Sequence, residues 1–185
     1  MRRITLVLLL PVLLAGCSSD DAPESAAPAD AGSAKRALSG APQPLAALHA
    51  QSNELLGGGA NAFKARIEGV RGYPAVVNKW ASWCAPCRAE FPFFQKQALE
   101  RGKRVAFLGV NSTDNAGDAK RFLAKYPVPF PHYTDRDLEV AAVFNAVQAF
   151  PSTAFYDSKG ELAYVHQGGY STERKLVEDI ERYAR

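Results

Sequence analysis

The sequence predicts an α/β domain whose central mixed β-sheet is covered by helices on both faces. Three observations carry that expectation. Two segments, the mostly apolar Ala75–Trp80 and the apolar Val105–Val110, have the length and composition of buried strands. Segments of helical pattern separate the strand-like runs. The chain then offers two more short apolar runs around a turn, which adds an antiparallel hairpin to a parallel set. Composition agrees, with 47% hydrophobic and 22% charged residues, a globular balance.

The elements follow in order. Asn61 is placed to cap a short helix ending at Gly69. Ala75–Trp80 is the first buried strand, and a helix follows from Ala85 to about Arg101. Val105–Val110 is the second strand. Asp118 to Tyr126 reads as a helix with Phe122 and Leu123 on its apolar side. A short strand is expected near Phe130–Tyr133, then a helix over Leu138–Asn145. Thr153–Tyr156 and Leu162–Val165 pair around Asp157-Ser158-Lys159-Gly160, where Gly160 is free to take positive φ. Thr172–Tyr183 closes the chain as an amphipathic helix.

The N-terminus is expected to be an export signal. Met1-Arg2-Arg3 precedes an apolar run, Ile4 to Leu14, that is too short to span a bilayer. The run ends Leu14-Ala15-Gly16-Cys17, which resembles the lipobox of bacterial lipoproteins. That resemblance implies cleavage before Cys17 and attachment of lipid to its sulfur. Two or three acyl chains anchor stably where one does not. Residues 1–16 are thus read as a signal, and 17–44 as a lipidated cysteine and a flexible linker rich in Ala, Ser, Pro, Asp and Gly. Residues 45–185 form the domain. The formal charge is +3, from 22 basic and 19 acidic residues. Without Arg2 and Arg3 it is 20 minus 19, or +1. No nucleic-acid partner is expected from so small a surplus.

Three cysteines, Cys17, Cys84 and Cys87, exclude a disulfide framework and a four-cysteine zinc site. Once Cys17 is assigned to the anchor, Cys84 and Cys87 remain as a C-x-x-C pair. By itself that spacing fits half a metal site, a structural disulfide or a redox couple. Its context narrows the choice, because Trp83-Cys84-Ala85-Pro86-Cys87 follows a strand and opens a helix. A helix N-terminus presents free N–H groups and partial positive charge, and both stabilise a thiolate. The second cysteine, one turn on, is close enough to resolve a mixed disulfide.

The stretch from Val76 to Glu90 resembles thioredoxins, and specifically the membrane-attached thiol–disulfide oxidoreductases of the TlpA/ResA type. Lys79 departs from their pattern, where Phe is usual. Pro92 falls where thioredoxins kink the active-site helix. Phe150-Pro151-Ser152-Thr153 matches the segment holding the family's cis-proline, and Gly168 or Gly169 its glycine before the last helix. The likeness covers roughly residues 70–185 and implies a thioredoxin fold. It implies that Cys84 is the nucleophile, that Cys87 resolves, and that Trp83, Pro86, Phe150 and Pro151 surround the bound substrate chain. Glu90, three residues past Cys87 and on the same helix face, is the expected acid/base for Cys87, in place of the buried aspartate that thioredoxin keeps at the position of Asn78. A solvated surface glutamate is the competing reading. Arg88 and Lys79 are expected to be ordinary surface charges, with a supply of positive potential near the thiolate as the competing reading. His49, His132 and His166 receive no role.

The expected activity is extracytoplasmic thiol–disulfide exchange with protein substrates and a membrane redox partner, without a cofactor. The resemblance favours reduction, for example of apocytochrome c thiols. An oxidase or isomerase is the alternative, since Ala85-Pro86 does not decide direction. A thiol peroxidase is disfavoured because Ala81 stands where such enzymes usually place a threonine. A metal-binding module has only two thiolates to offer.

Overall fold

The computed structural model describes residues 31–185. Six strands form one sheet: β1 (Leu55–Leu56), β2 (Ala75–Trp80), β3 (Ala106–Ser112), β4 (His132–Asp135), β5 (Ser152–Tyr156) and β6 (Leu162–Gln167). Their spatial order is β1-β4-β3-β2-β5-β6. β1, β4, β3 and β2 run parallel, and β5 and β6 join antiparallel. The sheet is therefore mixed, as expected. β2 and β3 are buried at every position, which explains why apolar residues dominate both.

Seven helices are described: α1 (Ala31–Ala37), α2 (Gln43–Ala50), α3 (Gly59–Gly69), α4 (Ala85–Arg101), α5 (Ala116–Lys125), α6 (Glu139–Val143) and α7 (Glu173–Tyr183). Side chains alternate across β2 and feed two cores. Val76 and Trp80 pack with Phe91, Phe94, Phe122, Leu176 and Ile180. Ala75 and Val77 pack with Phe63, Leu108, Val110, Val140 and Phe144. Helices thus cover both faces.

Several local expectations change. Asn61 lies inside α3, whose N-cap is Gly58 at φ 99°, a conformation glycine adopts without strain. α5 begins at Ala116 because the Asn115 side chain accepts from the Asp118 N–H at 2.8 Å. β1 is only two residues long, so no alternation betrays it in sequence. The hairpin turn forms as read, with Gly160 at φ 79° and the Asp157 carboxylate accepting from the N–H groups of Lys159 and Glu161.

The stretch read as linker also differs. From residue 31 onward it is folded rather than a free tether, because Leu38 buries its side chain against the domain. Leu38 and His49 reach the C-terminal end of α4: a Cβ on Gly102 would lie 2.8 Å from Leu38 Cδ2 and 3.1 Å from His49 Nε2. One leucine in an otherwise small and polar stretch is enough to dock it. No described helix is long and apolar enough to cross a membrane. The signal-like segment and Cys17 lie outside the described residues.

Candidate active site

The site is built where β2 hands over to α4. Cys84 is the N-cap of α4, with extended backbone (φ −81°, ψ 108°), and its Sγ accepts from the Cys87 N–H at 3.2 Å. Pro86 lies in the first helical turn, where its missing N–H costs nothing. Cys84 and Cys87 are joined as a disulfide, with Cα atoms 5.3 Å apart. Both sulfurs' residues are buried, Cys84 at 3% and Cys87 at 0% exposure. Trp83 is the opposite, 56% exposed, and its indole N–H donates to the Thr113 carbonyl.

The Phe150–Pro151 peptide is cis. The Phe150 ring stands 4.9 Å from the Trp83 ring. Gly169 marks the point where the other walls meet. A Cβ there would lie 3.3 Å from Pro86 Cβ, 3.6 Å from Pro151 Cγ and 3.8 Å from Glu90 Oε2. The motif around the cysteines, the cis-proline segment and the turn before α7 therefore converge. Seven of the eight expected site residues gather here: Trp83, Cys84, Pro86, Cys87, Glu90, Phe150 and Pro151. The eighth, Cys17, lies outside the described residues.

Glu90 is fully buried rather than solvated. Its Oε1 accepts from Asn78 Nδ2 at 2.8 Å and its Oε2 from the Tyr170 N–H at 3.0 Å. Burial raises its pKa from the ordinary 4.5 to about 7, although both hydrogen bonds oppose the rise. A carboxyl with that value exchanges its proton near neutral pH. Asn78 can serve both ionisation states, since its amide presents a donor or, after a flip, an acceptor. Sequence reasoning found Glu90 but missed these two partners. The Asn78 contact was accessible through strand alternation, because Asn78 shares a face with Val76 and Trp80. The Tyr170 N–H, 80 residues away in the chain, left no local signal.

Lys79 corrects an expectation. It is not a surface charge but fully buried, because it sits on central strand β2 between β3 and β5. Its ammonium donates to the carbonyls of Ala146, Val147 and Ala149 at 2.5, 3.3 and 3.0 Å. Arg88 stays on the surface, with its guanidinium donating to the Ser82 carbonyl. His132, left without a role, is wholly buried and accepts the Trp80 indole N–H at Nδ1 (3.0 Å). Burial pushes its pKa down to about 3, so it is neutral.

The Redoxin family model matches residues 46–182. The chain belongs to the Redoxin family. Among individual Redoxin-related proteins it is 32% identical to the thioredoxin-like protein YneN of Bacillus subtilis over 108 residues, 57% of this chain and 62% of that one. It is 28% identical to the thiol-disulfide oxidoreductase ResA of Oceanobacillus iheyensis, over 59% of this chain and 57% of that one. It is 39% identical to the thiol:disulfide interchange protein DsbE of Pseudomonas fluorescens, over 50% and 51%. The chain thus spans about half to three fifths of the length of these curated relatives. Among solved structures, MTB dsbF in its mixed oxidized and reduced forms matches with TM-score 0.57 and 33% identity, over 62% of this chain and 84% of that one. A putative thiol:disulfide interchange protein DsbE from Chlorobium tepidum matches with TM-score 0.54 and 30% identity, over 60% and 80%. The fold of this Redoxin-family chain is thioredoxin-like.

Proposed function

We propose that this protein is a thiol–disulfide oxidoreductase that works outside the cytoplasm on disulfides of exported proteins. The observation that carries the reading is the Cys84–Cys87 disulfide at the start of α4, with a buried carboxyl behind it and a cis-proline beside it. Relatives named ResA and DsbE support it.

In the reducing direction the Cys84 thiolate attacks one sulfur of a substrate disulfide. The S–S bond breaks, the other substrate sulfur leaves as thiolate, and a mixed disulfide remains. Cys87 then gives its proton to the Glu90 carboxylate and attacks Cys84 Sγ. The second substrate sulfur leaves, and the protein is left oxidised. Two electrons have passed from the dithiol to the substrate. The helix N-terminus stabilises the Cys84 thiolate as attacker and as leaving group. Neither the N–H nor the C=O of Phe150 has a backbone partner among the described residues, which leaves them free to pair with an extended substrate chain.

Reduction is the favoured direction, with cytochrome c maturation as one destination and a membrane redox partner resetting the dithiol. A potential near about −270 mV fits a reductant, and one near about −120 mV an oxidant. The decisive experiment is trapping. Cys87→Ser should hold exported proteins as mixed disulfides through Cys84, released by reductant on a gel. If only reductant-insensitive adducts, or none, form in cells, the proposal fails.

We further propose that Cys17 carries the lipid anchor. Cys17→Ser should move the protein from the membrane to the soluble extracytoplasmic fraction. Persistence in the membrane fraction would remove the anchor from the proposal.

A further inference from the structure

Lys79 is a charge in an improbable place. A lysine is almost never fully buried unless its ammonium is satisfied. Here it stands opposite Val110 of β3 and Ser152 of β5, on the face of β2 away from Asn78 and Glu90. Its side chain runs to the segment that leads into the cis-proline. An ammonium has three N–H donors, and three carbonyls of that segment, those of Ala146, Val147 and Ala149, accept from it. The same Nζ lies 3.7 Å from the centroid of the Phe150 ring. Ser152 Oγ also donates to the Ala149 carbonyl, tying the loop back to β5. Phe150 in turn faces Trp83.

We infer that Lys79 is a positioning residue that shapes the peptide-binding wall: its ammonium gathers the 146–150 loop and holds the Phe150 ring against Trp83. The inference rests on the thiol–disulfide reading of the site. It separates two jobs carried by adjacent residues of one strand. Asn78 holds the carboxyl behind the cysteines, and Lys79 holds the surface that a substrate chain lies on. The apolar side chain usual at this position in the family lacks the charge to do so.

Loss of the proton weakens the cradle. A neutral amine has two N–H donors for three carbonyls, and no cation for the ring. Burial lowers the Lys79 pKa from 10.5 to about 8, with the negative charge of Asp135 opposing the fall. Asp135 is the one carboxylate acting on it from β4, and is itself held by Ser112 Oγ and the N–H groups of Val140 and Ala141. The wall is therefore held below about pH 8 and loosens above it.

The test compares two disulfides on the reduced protein. Insulin presents extended chain to the wall, whereas bis(2-hydroxyethyl) disulfide presents only its sulfurs. Lys79→Met should lower kcat/KM for insulin about thirtyfold, the size of one desolvated cation–π contact, mainly through KM. The small disulfide should be unaffected. Lys79→Arg, which keeps its charge, should recover much of the loss. In the unaltered protein the insulin-to-small-disulfide ratio of kcat/KM should fall as pH rises through about 8, a measurement that needs no variant to fold. If the two substrates respond in parallel to both the substitution and pH, the positioning role is overturned. If the reduced protein turns over neither disulfide, the redox reading of the site falls first, and this inference with it.

Discussion

Glu90→Gln should slow disulfide exchange about a hundredfold at pH 7, the low end of what a positioned acid or base supplies. The loss should take a particular form. The limb of the pH–rate profile governed by a group titrating at about 7 should disappear, leaving that of the thiols alone. A profile unchanged in shape would show that Glu90 handles no proton.

The same substitution should act on stability with the opposite sign. The folded-state pKa of Glu90 lies above its unfolded value, so the folded protein binds more protons between pH 4.5 and about 7. Stability from this group is greatest below the unfolded value and declines as pH rises through that window. At pH 8 the deficit is about 3 kcal/mol, as an order of magnitude for a group this buried. Oxidised Glu90→Gln should therefore unfold at higher denaturant than the parent at pH 8, and the difference should vanish near pH 4. Chemical denaturation of both proteins at the two pH values reads this directly. A site kept less stable than its surroundings permit is what a functional carboxyl predicts, and a structural one does not.

Gly109→Ala should be the most damaging single methyl group in the domain. Gly109 lies in β3, directly between Asn78 of β2 and His132 of β4. A Cβ there would stand 1.8 Å from His132 Nδ1, the atom that accepts the Trp80 indole N–H. The imidazole is wholly buried and ringed by Trp80, Phe91 and Phe130, so it has nowhere to go. Overpacking and a broken buried hydrogen bond together should cost about 3 kcal/mol or more. Thermal unfolding should show a large drop in midpoint, while any protein that folds retains its thiol chemistry. A shift within a degree or two of the parent would mean that the strand accommodates the methyl group.

The sequence carried more of the site than of its supports. The cysteines, Trp83, Pro86, Glu90, Phe150 and Pro151 were legible because each sits in a compact local motif. The order of the long strands and helices was legible for a similar reason: β2 and β3 are predominantly apolar, and α7 has a clean amphipathic period. What escaped notice depends on contacts far apart in the chain. The Tyr170 N–H that holds Glu90 is one of them, and the Lys79 cradle, 67 to 70 residues distant, is another. Lys79 departs from the surface expectation because a lysine in a strand is ordinarily an edge or surface residue, and only strand order reveals that β2 is central. Likewise, α1 and the start of α2 lie in a stretch whose composition resembles linker, with Leu38 as its one large apolar residue.

The docking of Leu38 at Gly102 fixes where the N-terminal segment meets the domain. α4 has 17 residues, and at 1.5 Å per residue its ends are about 25 Å apart. Cys84 caps one end; Leu38 and His49 contact the other. The chain around Leu38 thus joins the domain at the pole opposite the reactive sulfurs. The exposed Trp83 lies at the other end of α4 from that junction, so the lipid anchor proposed at Cys17 would leave it open to partners.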